Sequence, residues 1–406
     1  MVTVRFQQNN QNFSDYQITT SKEIQLIKEI IHCIQNSHQK EAVEMLYQLA
    51  VKSHELPRLW VLQLAQALKR QNWGLLTDGF EQEKFIGENG YFLIIAPYRV
   101  KREAKEVVKL TAIFGQIMIP TSELSEDKVE SKIKELFGEL RQPLPVILPF
   151  NRIASCGNVG GETGEAFIVP NGWDFCNNSK GPALNDISEQ RQRFIESGLL
   201  CIERIFEPET AQLLSTPLIE EPTANNNRHL EYQIHDFGHA TGLGLDYKIK
   251  HNLFPNYWYG CVEEWRSDGV EFELASRLLP SDLVGKIIAV NLCVRFALDA
   301  HRNGGLERDA DVNCALLTLD SLFRNGVIYI KKGQLALRDC SYQGLLKAVE
   351  LHRVEAISLT RQELNLKYPQ GIFALYSSVL KVHPATKEIF DGLVISTCRD
   401  LWKGLR

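Results

Sequence analysis

At 406 residues, with 44% hydrophobic and 23% charged, the chain can bury a sizeable core and has a globular rather than a disordered balance. A formal net charge of -5 without any long basic run argues against a nucleic-acid partner, whose phosphates need concentrated Lys and Arg. No apolar run reaches the roughly 18 residues that a membrane helix needs. The polar stretch Met1 to Gln11 lacks the apolar centre of a secretory signal, so a cytoplasmic protein is expected.

In chain order, the first ~20 residues are polar, rich in Gln and Asn, and read as a loose arm. Helical periodicity starts at Ser21, a capping residue type, and runs through Ile24, Ile27, Ile30, Ile31 and Ile34. Leu46, Leu49, Leu62, Leu64 and Leu68 continue such stripes. Short apolar runs of strand length follow at Tyr91 to Pro97, Phe114 to Pro120 and Pro145 to Pro149, with an amphipathic helix predicted over Glu126 to Leu140. Residues ~75 to 150 therefore read as a small α/β unit, and the Gly-, Asn- and Pro-rich 151–185 as a linker or cleft-lining loop.

From Ile187 onward helices are predicted at 187–205, 228–243, 260–279, 284–303, 308–325, 342–354 and 385–403. Val327 to Arg338 reads as a hairpin turning at Lys331-Lys332-Gly333. The expected fold class is α/β (α+β), predominantly helical, in two lobes with a cleft. The first lobe, 1–150, is a helical segment plus the small α/β unit; the second, 151–406, is mostly helical. Nine cysteines without a close Cys-x-x-Cys pair, several within apolar runs, read as buried reduced thiols.

The chemistry concentrates in two of these helices. Glu231, His235 and His239 stand four residues apart, so a helix puts them on one face. Two histidines at i and i+4 can bind one metal ion through their imidazole nitrogens. The following helix carries Glu264, Asp268 and Glu271 on one stripe beside Trp265 and Phe272. Carboxylates there are costly to bury without a partner, and a metal held by two neutral histidines would offset that cost. His235, His239 and Glu264 are thus the expected ligands, with an open fourth position, in the C-terminal lobe.

The motif His235-Asp236-Phe237-Gly238-His239, followed by Glu263-Glu264-Trp265-Arg266-Ser267-Asp268, resembles the zinc signature of the dipeptidyl-peptidase III family of metallopeptidases. The family pairs a His-Glu-x-x-Gly-His helix with a second helix bearing Glu-Glu-x-Arg-Ala-Glu/Asp. The resemblance implies Zn2+ on His235, His239 and Glu264, with Asp268, Glu263 and Glu231 behind them and Arg266 bracing the carboxylates. Ile168-Val169-Pro170-Asn171, with Asn177, Asn178, Lys180 and Gly181, resembles the family's substrate-lining loop. Asp309-Ala310-Asp311-Val312-Asn313, with the helix ending at Asn325-Gly326, resembles its late helix. The resemblance spans about 160 to 330; the first 150 residues carry none of it.

The chain departs from the family pattern twice. Asp236 replaces the general-base Glu, which sets the carboxylate about 1.5 Å further back. Asp311 stands where the family has a histidine that stabilises the oxyanion, and His301 is the nearest histidine upstream. Asp236, Arg266, Asp311 and His301 are the expected catalytic set. Tyr257 and Trp258, within the aromatic run Phe254 to Tyr259, and Asn171 are the expected substrate wall.

The resemblance implies hydrolysis of a peptide or amide bond in a short peptide or small molecule. Two histidines and a carboxylate equally suit a non-haem iron oxygenase with Fe2+, or a Mn2+ site, and a metal held for structure alone completes the alternatives.

Overall fold

The structure, a computed structural model, describes residues 13–403 apart from 103–104, 119–123, 139, 141–142, 159–166, 177–180, 221–222, 243–256, 301–308 and 367–370. The fold is α+β and predominantly helical. It divides into two compact units: Met1–Pro120 with Val146–Gln190, and Thr121–Pro145 with Arg191–Arg406.

The first unit opens with helices α1 (Phe13–Gln35), α2 (Gln39–Lys52), α3 (Arg58–Arg70) and the short α4 (Thr77–Glu81). Helix α1 begins eight residues before Ser21, so Ser21 lies inside a helix rather than capping one. The isoleucine stripe is where periodicity placed it: Ile27, Ile30, Ile31 and Ile34 are buried.

A mixed five-stranded sheet follows, ordered β1-β2-β3-β5-β4. Its strands are β1 (Tyr91–Arg102), β2 (Lys105–Ile117), β3 (Ile147–Cys156), β4 (Phe167–Ile168) and β5 (Ala183–Asp186). β1, β2 and β3 run as an antiparallel meander, whereas β3 and β5 pair in parallel. Residues 151–185 thus contribute strands to the sheet, which corrects the linker reading. The β-branched and aromatic content of 147–156 and 167–168 outweighs the turn residues between them. The helices and sheet share one apolar core, which includes Trp60, Phe80, Phe85, Phe92, Phe114 and Phe150.

The second unit begins with α5 (Glu126–Phe137); α6 (Ile187–Arg193) starts in the first unit and ends in the second, which goes on with α7 (Leu199–Ile205), α8 (Pro208–Ile219), α9 (Ala224–Ala240), α10 (Tyr257–Leu278) and α11 (Ser281–Cys293). It continues with α12 (Ala310–Arg324), the hairpin of β6 (Ile328–Lys331) and β7 (Gln334–Leu337), α13 (Tyr342–Ala348), α14 (Glu350–Leu364), α15 (Ile372–Val379), α16 (Pro384–Ile389) and α17 (Ser396–Lys403). The hairpin turns where expected, with Lys332 and Gly333 both at positive φ, as a two-residue primed turn requires.

Three predicted helices, 187–205, 284–303 and 385–403, are interrupted by π-helical turns at Phe194–Gly198, Val294–Asp299 and Phe390–Ile395. Each such turn adds a residue to the helical repeat and re-aims the side chains that follow. Helix α10 packs against α9, α12 and α14 and is the scaffold's central member.

Candidate metal centre

Helices α9 and α10 approach each other closely because Gly238 lacks a side chain. A Cβ there would lie 2.6 Å from the Ser267 carbonyl oxygen. Gly242, at a φ of +76°, lies just past the end of α9 in the left-handed conformation that favours glycine. This close crossing carries His235 and His239 on α9 to Glu264 on α10.

The three side chains converge. His235 Nε2 lies 3.0 Å from His239 Nε2. Glu264 Oε2 is 3.3 Å from His235 Nε2, and Glu264 Oε1 is 3.5 Å from His239 Nε2. The outer nitrogens are engaged elsewhere. His239 Nδ1 lies 3.3 Å from Glu263 Oε1 and 2.9 Å from Ser267 Oγ. His235 Nδ1 is 2.9 Å from Asp268 Oδ1, an ion-pair contact rather than a linear hydrogen bond.

An ionised carboxylate can only accept, so Glu263 and Asp268 place the ring protons on Nδ1 and leave the lone pairs on Nε2. Two imidazole lone pairs and a carboxylate then point at one another. A divalent cation satisfies that arrangement. For bonds of about 2.0–2.1 Å, tetrahedral ligand atoms stand about 3.3–3.4 Å apart, close to the observed triangle.

The charges around the triangle agree with this. Burial would lower both histidines, yet Asp268 and Glu264 hold His235 well above its ordinary range. Glu264, with Glu263, also holds His239 above its ordinary range. Burial would raise Glu264, and His239 and His235 hold it well below the usual carboxylate range. The pocket favours positive charge, whether carried by protons or by a metal.

Each histidine has a carboxylate behind it, and each carboxylate has a buried arginine. On the His239 side, fully buried Arg266 donates through Nη2 and Nε to the two oxygens of Glu263, at 2.7 and 3.0 Å. Arg266 Nη1 also donates to Thr241 Oγ1 at 2.8 Å and to Thr360 Oγ1 at 3.0 Å. Tyr376 on α15 donates to Glu263 at 2.7 Å and also contacts Glu363. On the His235 side, Arg295 donates through Nε and Nη2 to the two oxygens of Asp268, both at 2.8 Å. Burial would raise the Asp268 carboxyl, but Arg295 and His235 hold it below its ordinary range.

The remaining expected residues fall as follows. Asp236 is half-buried beside the triangle and, among the described residues, makes no hydrogen bond or ion pair. Burial and the nearby Glu264 carboxylate push it above the ordinary carboxylate value, against the pull of His239 and His235. Glu231 is buried and paired with Arg228 one turn back, so its charge is directed to that arginine. Asp311 lies 3.4 Å from Arg295 Nη1 and outside the set of oxygens and nitrogens that converge. Asn171 is exposed on a 3-10 turn of the first unit, Pro170–Gly172. Tyr257 and Trp258 open α10, and their side chains, like the whole of His301, lie outside the described residues.

A second buried group, His235 with Asp268 and Glu271, also has ligand-type atoms within reach of one another. Arg295 and Asn291 already occupy its carboxylates. Arg295, Tyr376 and Glu363 were not singled out from the sequence. The available signal was Arg295 itself, a charge inside the apolar run Val290-Asn291-Leu292-Cys293-Val294-Arg295-Phe296, where only buried carboxylates would compensate it.

Fold and centre together define an α+β, mostly helical protein with a His-His-Glu cluster on two crossing helices. Two solved structures share the fold: DPP III from Caldithrix abyssi, with a TM-score of 0.62 at 12% identity, and dipeptidyl-peptidase III from Corallococcus sp. strain EGB, with 0.52 at 14%. The first alignment covers 91% of this chain and 69% of the other; the second covers 90% and 71%. The chain belongs to DUF6014, a family of unknown function, whose model matches residues 16–354. No curated protein matches it in sequence. Among the described residues no helix is long and apolar enough to cross a membrane.

Proposed function

We propose that the chain is a zinc-dependent hydrolase acting on a peptide or amide bond in a short peptide or small molecule. One observation carries the reading: two imidazole Nε2 atoms and the Glu264 carboxylate converge within 3.0–3.5 Å, close to a carboxylate, Asp236, that makes no hydrogen bond or ion pair among the described residues.

His235, His239 and Glu264 would hold the ion. Zinc bound there supplies Lewis-acid polarisation and makes water a better nucleophile near neutral pH. The chain's own residues do the rest. Asp236 accepts the proton of the attacking water and passes it to the leaving amine, the part that a carboxylate within one water of the reacting atoms can play. Its shorter side chain makes this transfer slower than a glutamate would. Asp268 and Glu263 fix the imidazole tautomers, and Arg266 holds Glu263 in place. The fold shared with two peptidase structures favours this reading over an oxygenase.

The test combines metal analysis of protein purified without added metal with arylamine release from a set of aminoacyl- and dipeptidyl-arylamides. One equivalent of zinc is expected, with slow hydrolysis that Asp236→Ala abolishes while zinc stays bound. Asp236→Glu should hydrolyse at least as fast as the wild type. Iron in the site with oxygen uptake, or hydrolysis indifferent to Asp236→Ala, would overturn the proposal.

A further inference from the structure

The two arms of the centre are built alike but anchored differently. Arg266 belongs to the same helix as the carboxylate it braces, three residues along. Arg295 comes from elsewhere, on the π-helical turn Val294–Asp299 that interrupts the helix begun by α11. Arg295 is the second residue of that turn, and π-helical turns occur mostly as single insertions, frequently at functional positions. Arg295 is only 5% exposed and lies in the middle of the acidic cluster.

There Arg295 grips Asp268 with two donors at 2.8 Å and Asp299, behind it, with Nη1 at 2.9 Å. The same two terminal nitrogens reach the metal side at longer range: Nη2 lies 3.3 Å from Glu264 Oε2 and Nη1 3.4 Å from Asp311. One planar group thus touches a ligand, Glu264, and the carboxylate that orients another ligand, His235. A lysine could hold one of these carboxylates, whereas the fork of Arg fits Asp268 through both oxygens.

We propose that Arg295 is the positioning residue of the centre, clamping Asp268 against His235 and steadying Glu264 so that both ligands face the ion. The inference rests on the reading of His235, His239 and Glu264 as a metal site. It assigns to Arg295 control of metal affinity and ligand geometry through its neighbours, with no contact to substrate.

Zinc affinity, measured by competition with a chromophoric chelator, and the visible spectrum of the Co2+-loaded full-length protein test it. Arg295→Lys keeps the charge and loses the fork. Zinc binding 10- to 100-fold weaker than wild type and shifted cobalt bands are expected. Asp299→Asn, an isosteric change behind the guanidinium, covers the case in which the lysine variant fails to fold; a smaller loss of affinity and a band shift in the same direction are expected. Affinity within two-fold of wild type and an unchanged cobalt spectrum in the folded variants would overturn the role of Arg295. A wild-type protein that binds neither ion would instead overturn the metal reading itself, and the two failures are distinct in the data.

Discussion

The two units bury different things. The first is held by aromatic and aliphatic packing: Trp60 donates its Nε1 hydrogen to the Leu93 carbonyl at 2.6 Å and packs beside Phe85, which stacks on Phe80. Its buried charged groups are few, among them Glu23, Glu55 and Asp186. The second unit has a larger apolar core, yet it also buries Arg228, Glu231, Glu263, Arg266, Asp268, Glu271, Arg295, Asp299 and Glu363. Taking so many charges out of water destabilises a fold relative to apolar packing of the same volume. That cost is concentrated around His235 and His239, and perturbed ionisable groups of this kind cluster at functional sites, which supports the metal centre proposed there.

The largest expected effects come from removing one member of each kind. Arg266→Ala leaves Glu263 and Glu363 buried without their cation and should cost about 3–5 kcal/mol. Chemical denaturation checks that loss, and zinc affinity should fall with it. Trp60→Ala removes a large core side chain from the first unit and should also cost about 3–5 kcal/mol, while the folded fraction binds zinc as the wild type does. A Trp60 variant with weakened zinc binding would break the comparison.

Acid should separate the units next. Burial pushes His229 and His352, both in the second unit, down to about 4. His352 stacks on Trp265 at 4.3 Å and bonds to its backbone carbonyl. Because these folded values lie below the ordinary 6.5, the unfolded chain binds more protons between pH 6.5 and 4. Stability is then fully present above that window and falls as pH drops through it, by roughly 3 kcal/mol for each histidine. Denaturation midpoints at pH 7 and pH 4.5 check this, and His352→Gln should flatten the slope. The smallest effect belongs to the surface: Val51, 74% exposed on α2, should tolerate Ala within about 0.5 kcal/mol and leave zinc binding unchanged.

Much of this division was legible in the sequence, and its limits have physical causes. The isoleucine stripe of α1 and the apolar runs of β1, β2 and β3 were visible because local periodicity reports a buried face. The convergence of His235, His239 and Glu264 was legible for the same reason, since His235 and His239 share a helical face and Glu264 heads a carboxylate stripe on the next helix. The π-helical turns were not, because a one-residue insertion leaves the apolar spacing nearly intact. Nor was the Tyr376–Glu363–Glu263 linkage, which joins three helices through residues as much as 113 apart. Glu231 shows the converse: helical spacing placed it with the histidines, and pairing with Arg228 took it away.

The most direct test is zinc titration of metal-free protein by calorimetry, run on the wild type and on His239→Ala and Glu264→Ala. Binding of one zinc per chain by the wild type, with at least a 100-fold loss in each variant, is the predicted result. A wild type that takes up no zinc, or variants that bind it as tightly as the wild type does, would contradict the central claim that these three side chains form a metal centre.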